Sequence, residues 1–272
     1  MRHETTNLKC QPNRQQSHWT DWYDWKGQYP IFAGRYFDSS SSWSHTEFTS
    51  AKSATGGKLT SIAPIRASTT DQSVSGITGY NNGVSDANET CTQISDAITA
   101  GQLEVPPSGV VIVYLDNEPI GTNPNLLTPD YWAGWAGTVF NFSFEGDPYE
   151  AGLYCPFYDD GGVYVPTTGI QTALNEACGK YPDEYVACWG LWTYEPHSPD
   201  ANYCPPGSSL NWSLIGTCRQ DLCGDSINVP VYLWQYASPT ACSGYTNYAG
   251  GQNLDIDGSD STGAESYMLK IV

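Results

Sequence analysis

The sequence predicts a single-domain α/β protein of the (β/α)8 TIM-barrel type, with a first strand that is atypical or missing. Three observations lead there. The chain has 272 residues, close to the roughly 250 typical of such barrels. Apolar strand-like runs alternate with helix-like segments along one continuous chain, as in βα units around a parallel sheet. One run, Val110 to Tyr114 in "GVVIVYLDNEP", is apolar or aromatic throughout, which suits a strand buried on both faces.

The elements follow in order. "YPIFAGRYF" (Tyr29 to Phe37) reads as the first strand and "KLTSIAPIRAS" (Lys58 to Ser68) as the second. After a polar, Gly-rich stretch, "SDANETCTQISDAITAG" reads as a helix. Its apolar or small positions Ala87, Cys91, Ile94, Ala97 and Ile98 recur at spacings of three and four, and Gly101 ends it. The apolar strand Gly109 to Pro119 comes next. A helix over "YWAGWAGTVFNF", a strand over "YEAGLYCPFY" and a helix over "GIQTALNEACGKY" follow it. "EYVACWGLWTYEP" and "VPVYLWQYA" read as strands separated by a long Cys-rich loop from about His197 to Asn228; "QNLDIDGSD" and "SYMLKIV" close the chain. Seven barrel strands emerge where eight are needed. Residues 1–28 offer only the weak run "TTNLKC" and an aromatic, helix-like "HWTDWYDW". They are read as an atypical N-terminal segment before a barrel domain spanning 29–272.

Composition narrows the function. Eleven Lys and Arg stand against 29 Asp and Glu, a net charge of −18, whereas phosphate recognition requires clustered cations. The charge therefore argues against nucleic acid as a partner. No apolar run reaches the roughly 18 residues of a membrane helix, so no membrane partner is expected. The nine cysteines are scattered without C-x-x-C pairs, so disulfides in an oxidising compartment are expected rather than a metal site. Cys218/Cys223 and Cys178/Cys188 are each near enough to close a short loop, and the odd count leaves one cysteine over. Sequons at Asn88, Asn141 and Asn211 fit a secreted glycoprotein. The N-terminal residues lack an apolar signal-peptide core, so secretion would require a leader upstream. No nucleotide-loop, serine-elbow or zinc-protease motif is present, and no cofactor is expected.

The chemistry concentrates in "YLDNEP". Asp116 and Glu118 alternate on a strand, which directs both to one face at its C-terminal end, where barrel enzymes place catalysis. Two adjacent carboxylates separate in pKa, keeping one protonated as a general acid for glycosidic cleavage. Asp255 and Asp257 repeat the spacing in "LDIDGSD", with a calcium-binding turn as the alternative. Trp234, Gln235 and Tyr236 end another strand with groups that stack on and hydrogen-bond to sugars, or pack a core. Arg35 and Arg66, near strand ends, either pair with carboxylates or orient a substrate.

The ordered series "FAGRYF", "LTSIAPI", "GVSDANETCTQI", "VYLDNEP", "AGLYCPFY", "LWQYA" and "LDIDGSD" resembles the glycoside-hydrolase-like domain labelled domain of unknown function 1906. That group is similar to the family 25 glycoside hydrolases, the lysozyme-like muramidases. The resemblance spans roughly residues 29–260 and implies a barrel with its site at the C-terminal strand ends. It further implies Glu118 as general acid, with Asp116 positioning a 2-acetamido group. Asp255 or Asp257 would line the site, and Trp234 and Gln235 would match the W-Q-Y of a sugar cleft. Muramidases carry another aspartate on the first strand, which Asp21 and Asp24 do not match. The expected function is a secreted hydrolase of an N-acetylated polysaccharide. The alternatives are a non-catalytic glycan-binding or structural protein, and a calcium-dependent adhesive module. Oligomeric state is not legible from sequence.

Overall fold

Most of the apolar runs become strands and the periodic segments after residue 84 become helices among the described residues. The computed structural model describes residues 4–7, 31–38, 45–117, 127–144, 146–160, 163–166, 168–194, 217–222, 225–237, 255–259 and 264–272. The first half contains β1 (Glu4–Asn7), β2 (Phe32–Tyr36), α1 (His45–Ala54), β3 (Ser61–Arg66), α2 (Gly76–Thr99), β4 (Leu103–Glu104) and β5 (Val111–Asp116). Then come α3 (Pro129–Asn141), β6 (Ser143–Phe144), β7 (Asp147–Asp160), β8 (Val163–Pro166) and α4 (Thr168–Lys180). β9 (Gly190–Tyr194), β10 (Thr217–Leu222), β11 (Asp225–Ala237), β12 (Asp255–Ser259) and β13 (Leu269–Ile271) complete the order.

β2, β3, β5, β7, β9 and β11 lie side by side, each parallel to the next. β12 adds antiparallel to β11, and β1 antiparallel to β12, so β1 runs in the same direction as the parallel set. The weak run near the N-terminus thus supplies a strand. The result is a curled half-barrel of mostly parallel strands, not the closed (β/α)8 barrel expected. Among the described residues, no ladder joins β1 to β2. β13 instead pairs antiparallel with the N-terminal half of β3, Leu269 opposite Ile62, and carries β4 on its other edge. β5 meets β3 only through Ile65 and Arg66.

Alternation along β5 divides the interior into two layers. Ile112 and Tyr114 join Phe32, Ile65, Tyr154, Trp192 and Leu233 inside the curl. Val111, Val113 and Leu115 face the helices and join the cluster containing Ile94, Tyr131, Trp135 and Leu174. All six residues of β5 are buried, and burial of each large aliphatic side chain contributes about 2 kcal/mol.

α2 begins at Gly76, well before the expected start near Ser85. Gly79 and Gly83 read as breakers, yet they are contact points. A Cβ on Gly83 would lie 2.2 Å from the Tyr131 carbonyl oxygen, and one on Gly134 would lie 2.1 Å from that of Tyr80. The two helices therefore cross backbone to backbone, a gain that outweighs glycine's poor helix propensity. α3 starts where its cap is strongest: Thr128 Oγ1 accepts from the Tyr131 N–H, with Pro129 in the first turn. The expected strand over "EYVACWGLWTYEP" shrinks to Gly190–Tyr194, because the preceding segment crosses α3 as a loop. The expected Cys-rich loop contains a hairpin, with β10 antiparallel to the first half of β11.

The proposed Cys178–Cys188 loop does not form. Cys188, with Cys91 and Cys155, is buried as a thiol, whereas Cys178 is disulfide-bonded. Cys10, Cys204, Cys218, Cys223 and Cys242, and with them the expected Cys218/Cys223 pairing, have side chains outside the described residues. No helix among the described residues is long and apolar enough to cross a membrane.

Glu150 is a local conflict in this scheme. Its neighbours Tyr149 and Ala151 face the helices, so Glu150 faces the inside of the curl. It is 5% exposed, and its Oε2 has no hydrogen-bond partner. Burial raises its carboxyl from 4.5 to about 7. A raised folded-state value means that the native protein holds this proton more tightly than the unfolded chain. Stability from this group is therefore greatest below 4.5 and falls as pH rises toward 7. Glu150→Gln, compared with wild type by urea unfolding, should stabilise the protein at pH 8 by up to about 3 kcal/mol and change little at pH 4. Equal differences at both pH values would contradict this placement.

Candidate functional site

The C-terminal ends of the parallel strands share one end of the half-barrel, and Asp116 is the last residue of β5 there. It alternates with Ile112 and Tyr114, so its side chain enters the inner layer, where it is 2% exposed. Tyr36, the last residue of β2, donates its hydroxyl to Asp116 Oδ2 at 2.7 Å. Beneath them lies an aromatic floor. Trp192 meets Tyr114 edge-on at 5.6 Å and Tyr154 at 5.3 Å between ring centroids, with Leu233 in the same cluster. This floor closes the inner face below Asp116 with apolar groups. Hydrogen bonds made there act in a medium less polar than water.

Gln72 holds the end of β5. It lies in the 3-10 turn Thr70–Ser73 and is fully buried. Its Nε2 donates to the Asp116 carbonyl at 2.9 Å, and its Oε1 accepts from Asn117 Nδ2 at 2.7 Å. The Asn117 N–H donates to the Tyr154 carbonyl at 2.9 Å, and the Thr128 N–H donates to the Gln72 carbonyl at 3.0 Å. Asn117 and Thr128 flank residues 118–127, so both anchors of the segment carrying Glu118 are tied to one residue. Glu118 itself lies outside the described residues.

The other expected site residues separate into two groups. Trp234, Gln235 and Tyr236 fall on β11, and Asp255 and Asp257 on β12, with side chains outside the described residues. Backbone register brings them to the same end as Asp116. Asp116 is opposite Tyr154, Tyr154 opposite Trp192, and Trp192 opposite Leu233. Gln235 is two residues farther toward that end and sits opposite Asp257. The arginines go elsewhere. Arg35 alternates with Tyr36 and faces the helices, its Nη2 donating to Glu47 Oε2 on α1 at 3.3 Å. Arg66 binds Asp86 at 2.7 Å and Glu89 on α2, and Asp86 also accepts from the Tyr131 hydroxyl at 2.6 Å. Both therefore make carboxylate pairs in the helix layer.

Sequence reasoning did not find Tyr36, Gln72 or Asp38. Tyr36 was accessible from its two-residue alternation with the inward Phe32 and Gly34 positions. Asp38 follows β2, whose ladder continues with the Phe37 N–H donating to the Ile65 carbonyl, and is 3% exposed. Gln72 carries no local signal, because its importance lies in contacts with Asp116, Asn117 and Thr128. Among the described residues, no three His, Cys, Asp or Glu side chains gather as metal ligands.

Replacing Gln72 by Leu removes its bonds to the Asn117 amide and the Asp116 carbonyl in a buried site. The expected loss is about 3 kcal/mol in urea unfolding, from two buried hydrogen bonds. A loss near zero would show that the strand end is held by something else.

No family model and no curated protein matches the chain. Among solved structures, the 1.07 Å crystal structure of an uncharacterized B. stearothermophilus protein is similar at 17% sequence identity. The match covers 97% of this chain and 98% of that one with a TM-score of 0.54, a likeness of fold.

Proposed function

We propose that this chain is a secreted glycoside hydrolase acting on an N-acetylated polysaccharide, such as a cell-wall glycan. The observation that carries the reading is the fixed carboxylate of Asp116, held by Tyr36 over an aromatic floor at the C-terminal strand ends. In this proposal Glu118, two residues farther along, is the general acid that protonates the leaving oxygen. Asp116 positions the acetamido group, and the Tyr36 hydrogen bond fixes which carboxylate oxygen faces the sugar. Trp234, Gln235, Tyr236, Asp255 and Asp257 contact the glycan from the ends of β11 and β12. Asp38 supplies the further acidic group that the muramidase resemblance calls for, just past the second strand rather than on the first. Arg35 acts from behind, pairing with Glu47 instead of touching substrate. The net charge of −18 favours an uncharged, chitin-like polymer over an anionic wall. The disulfide at Cys178 supports an oxidising compartment.

One observation favours a second reading, a glycan-binding protein on the same scaffold without turnover. β1, the strand that precedes the parallel set, ends in Asn7, not an aspartate. Assay of Glu118→Gln on chitin oligosaccharides and peptidoglycan separates the two. The hydrolase reading expects activity to fall at least about a hundredfold, as for loss of a general acid. Full activity in the variant contradicts it, and wild-type binding without any cleavage selects the second reading.

A further inference from the structure

Phe140, Tyr185 and Trp189 form an aromatic platform on the outer surface. Trp189 directly precedes β9, at the opposite end of the sheet from Asp116. The Phe140 and Tyr185 rings stack with centroids 3.8 Å apart, and the Trp189 indole N–H donates to the Tyr185 hydroxyl at 2.6 Å. The loop that presents them is fastened at several points. Trp132 Nε1 donates to the Val186 carbonyl at 2.9 Å, and the Tyr80 hydroxyl donates to Glu184 Oε1 at 2.6 Å. The Trp189 N–H donates to the Ala151 carbonyl at 2.9 Å. Gly137 lets the loop lie on α3, since a Cβ there would sit 2.5 Å from Glu184 Oε2. The rings are thus held in place, yet Phe140 is 39% and Trp189 40% exposed. Rigid aromatic surface left in water calls for an occupant.

The chain supplies an attachment point beside it. Asn141, the last residue of α3, opens the sequon Asn141-Phe142-Ser143, and both Asn141 and Ser143 are exposed. Phe142 is extended, at φ −83 and ψ 137, so the chain leaves the helix within the sequon. Asn141 is four residues beyond Gly137 and so continues the helix face on which Glu184 rests, next to Tyr185. The sequon at Asn88 differs: it lies wholly within α2, and its Thr90 is buried with its hydroxyl donated to the Phe37 carbonyl at 3.0 Å. The third sequon, at Asn211, lies outside the described residues.

We propose that Asn141 carries an N-linked glycan whose first N-acetylglucosamine lies across the exposed rings of Phe140 and Trp189. This rests on the secreted part of the reading above, not on turnover. The donor is a lipid-pyrophosphate-linked oligosaccharide. A bond forms between Asn141 Nδ2 and the sugar C1, the bond from C1 to the pyrophosphate oxygen breaks, and the amide proton leaves with the lipid pyrophosphate. The sugar's C–H face then covers the aromatic carbons, with its hydroxyls and acetamido group in water. A second copy of the chain fits less well. The exposed ring area, on the order of 200 Å², is far below the roughly 800 Å² per partner of a stable protein interface.

The full chain, secreted from a yeast host, tests this by peptide mass mapping before and after enzymatic glycan removal. Thermal unfolding of protein trimmed to a single N-acetylglucosamine is then compared with that of Asn141→Gln. The expected results are an occupied Asn141 and a midpoint about 2–4 °C higher for the trimmed glycoform. That gap should vanish in Trp189→Ala and persist in Trp189→Phe, which keeps a ring. An unmodified Asn141 beside an occupied Asn211 overturns this inference alone. The same gap in Trp189→Ala, or a dimer by sedimentation that Trp189→Ala dissociates, overturns the seating on the platform. Empty sequons together with nine titratable thiols overturn both this inference and secretion. Occupied Asn141 in a protein without glycan cleavage leaves the inference standing and removes the hydrolase reading.

Discussion

The end of β5 is held by the side chain of one buried glutamine, and the geometry of the candidate site depends on that attachment. A strand end is ordinarily where a ladder frays and a loop takes over. Here the Gln72 amide binds the last carbonyl of the strand and the first side chain beyond it, while its own carbonyl receives Thr128. Asp116 is thereby placed by backbone and side-chain bonds together, with Tyr36 fixing the carboxylate. Each bond contributes about 1 kcal/mol net, but leaving any one partner alone in this buried setting costs more.

The cations are distributed to match. With so few Lys and Arg in the chain, Arg35 and Arg66 are used behind the sheet, against Glu47, Asp86 and Glu89. Asp130 does similar work at the start of α3, receiving the Gly76 N–H, the Lys180 ammonium and the Tyr181 hydroxyl. Those contacts tie the start of α2 and the end of α4 to the start of α3, and they lower the Asp130 carboxyl below its usual value even though burial acts the other way. The inner face at the Asp116 end keeps carboxylate, hydroxyl and aromatic groups.

Much of the sheet was legible because it rests on local patterns. β2, β3, β5 and β11 were marked by apolar runs, and α3 and α4 by the helix-like segments between them. The start of α2 was hidden because Gly79 and Gly83 are breakers by propensity and become close-approach residues only when α3 is present. The short β1 was hidden for a related reason: four mostly polar residues form a strand only against β12. Closure of the barrel was overestimated, because counting strands says nothing of direction, and β12 and β13 both run antiparallel to their neighbours. At the site, Asp116 could be read from its strand, whereas Gln72 could not, since nothing local distinguishes it from other polar loop residues.

The central claim is that glycan engages the half-barrel at the end where Asp116 sits. Backbone amide NMR of the folded protein, titrated with a chitin tetrasaccharide, tests it most directly. The account predicts shifts concentrated at Asn117, Tyr194 and residues 233–237, with Val111 and Leu269 at the opposite end unmoved. Binding that leaves Asn117 unmoved and perturbs only the Trp189 end, or no binding at all, would contradict it.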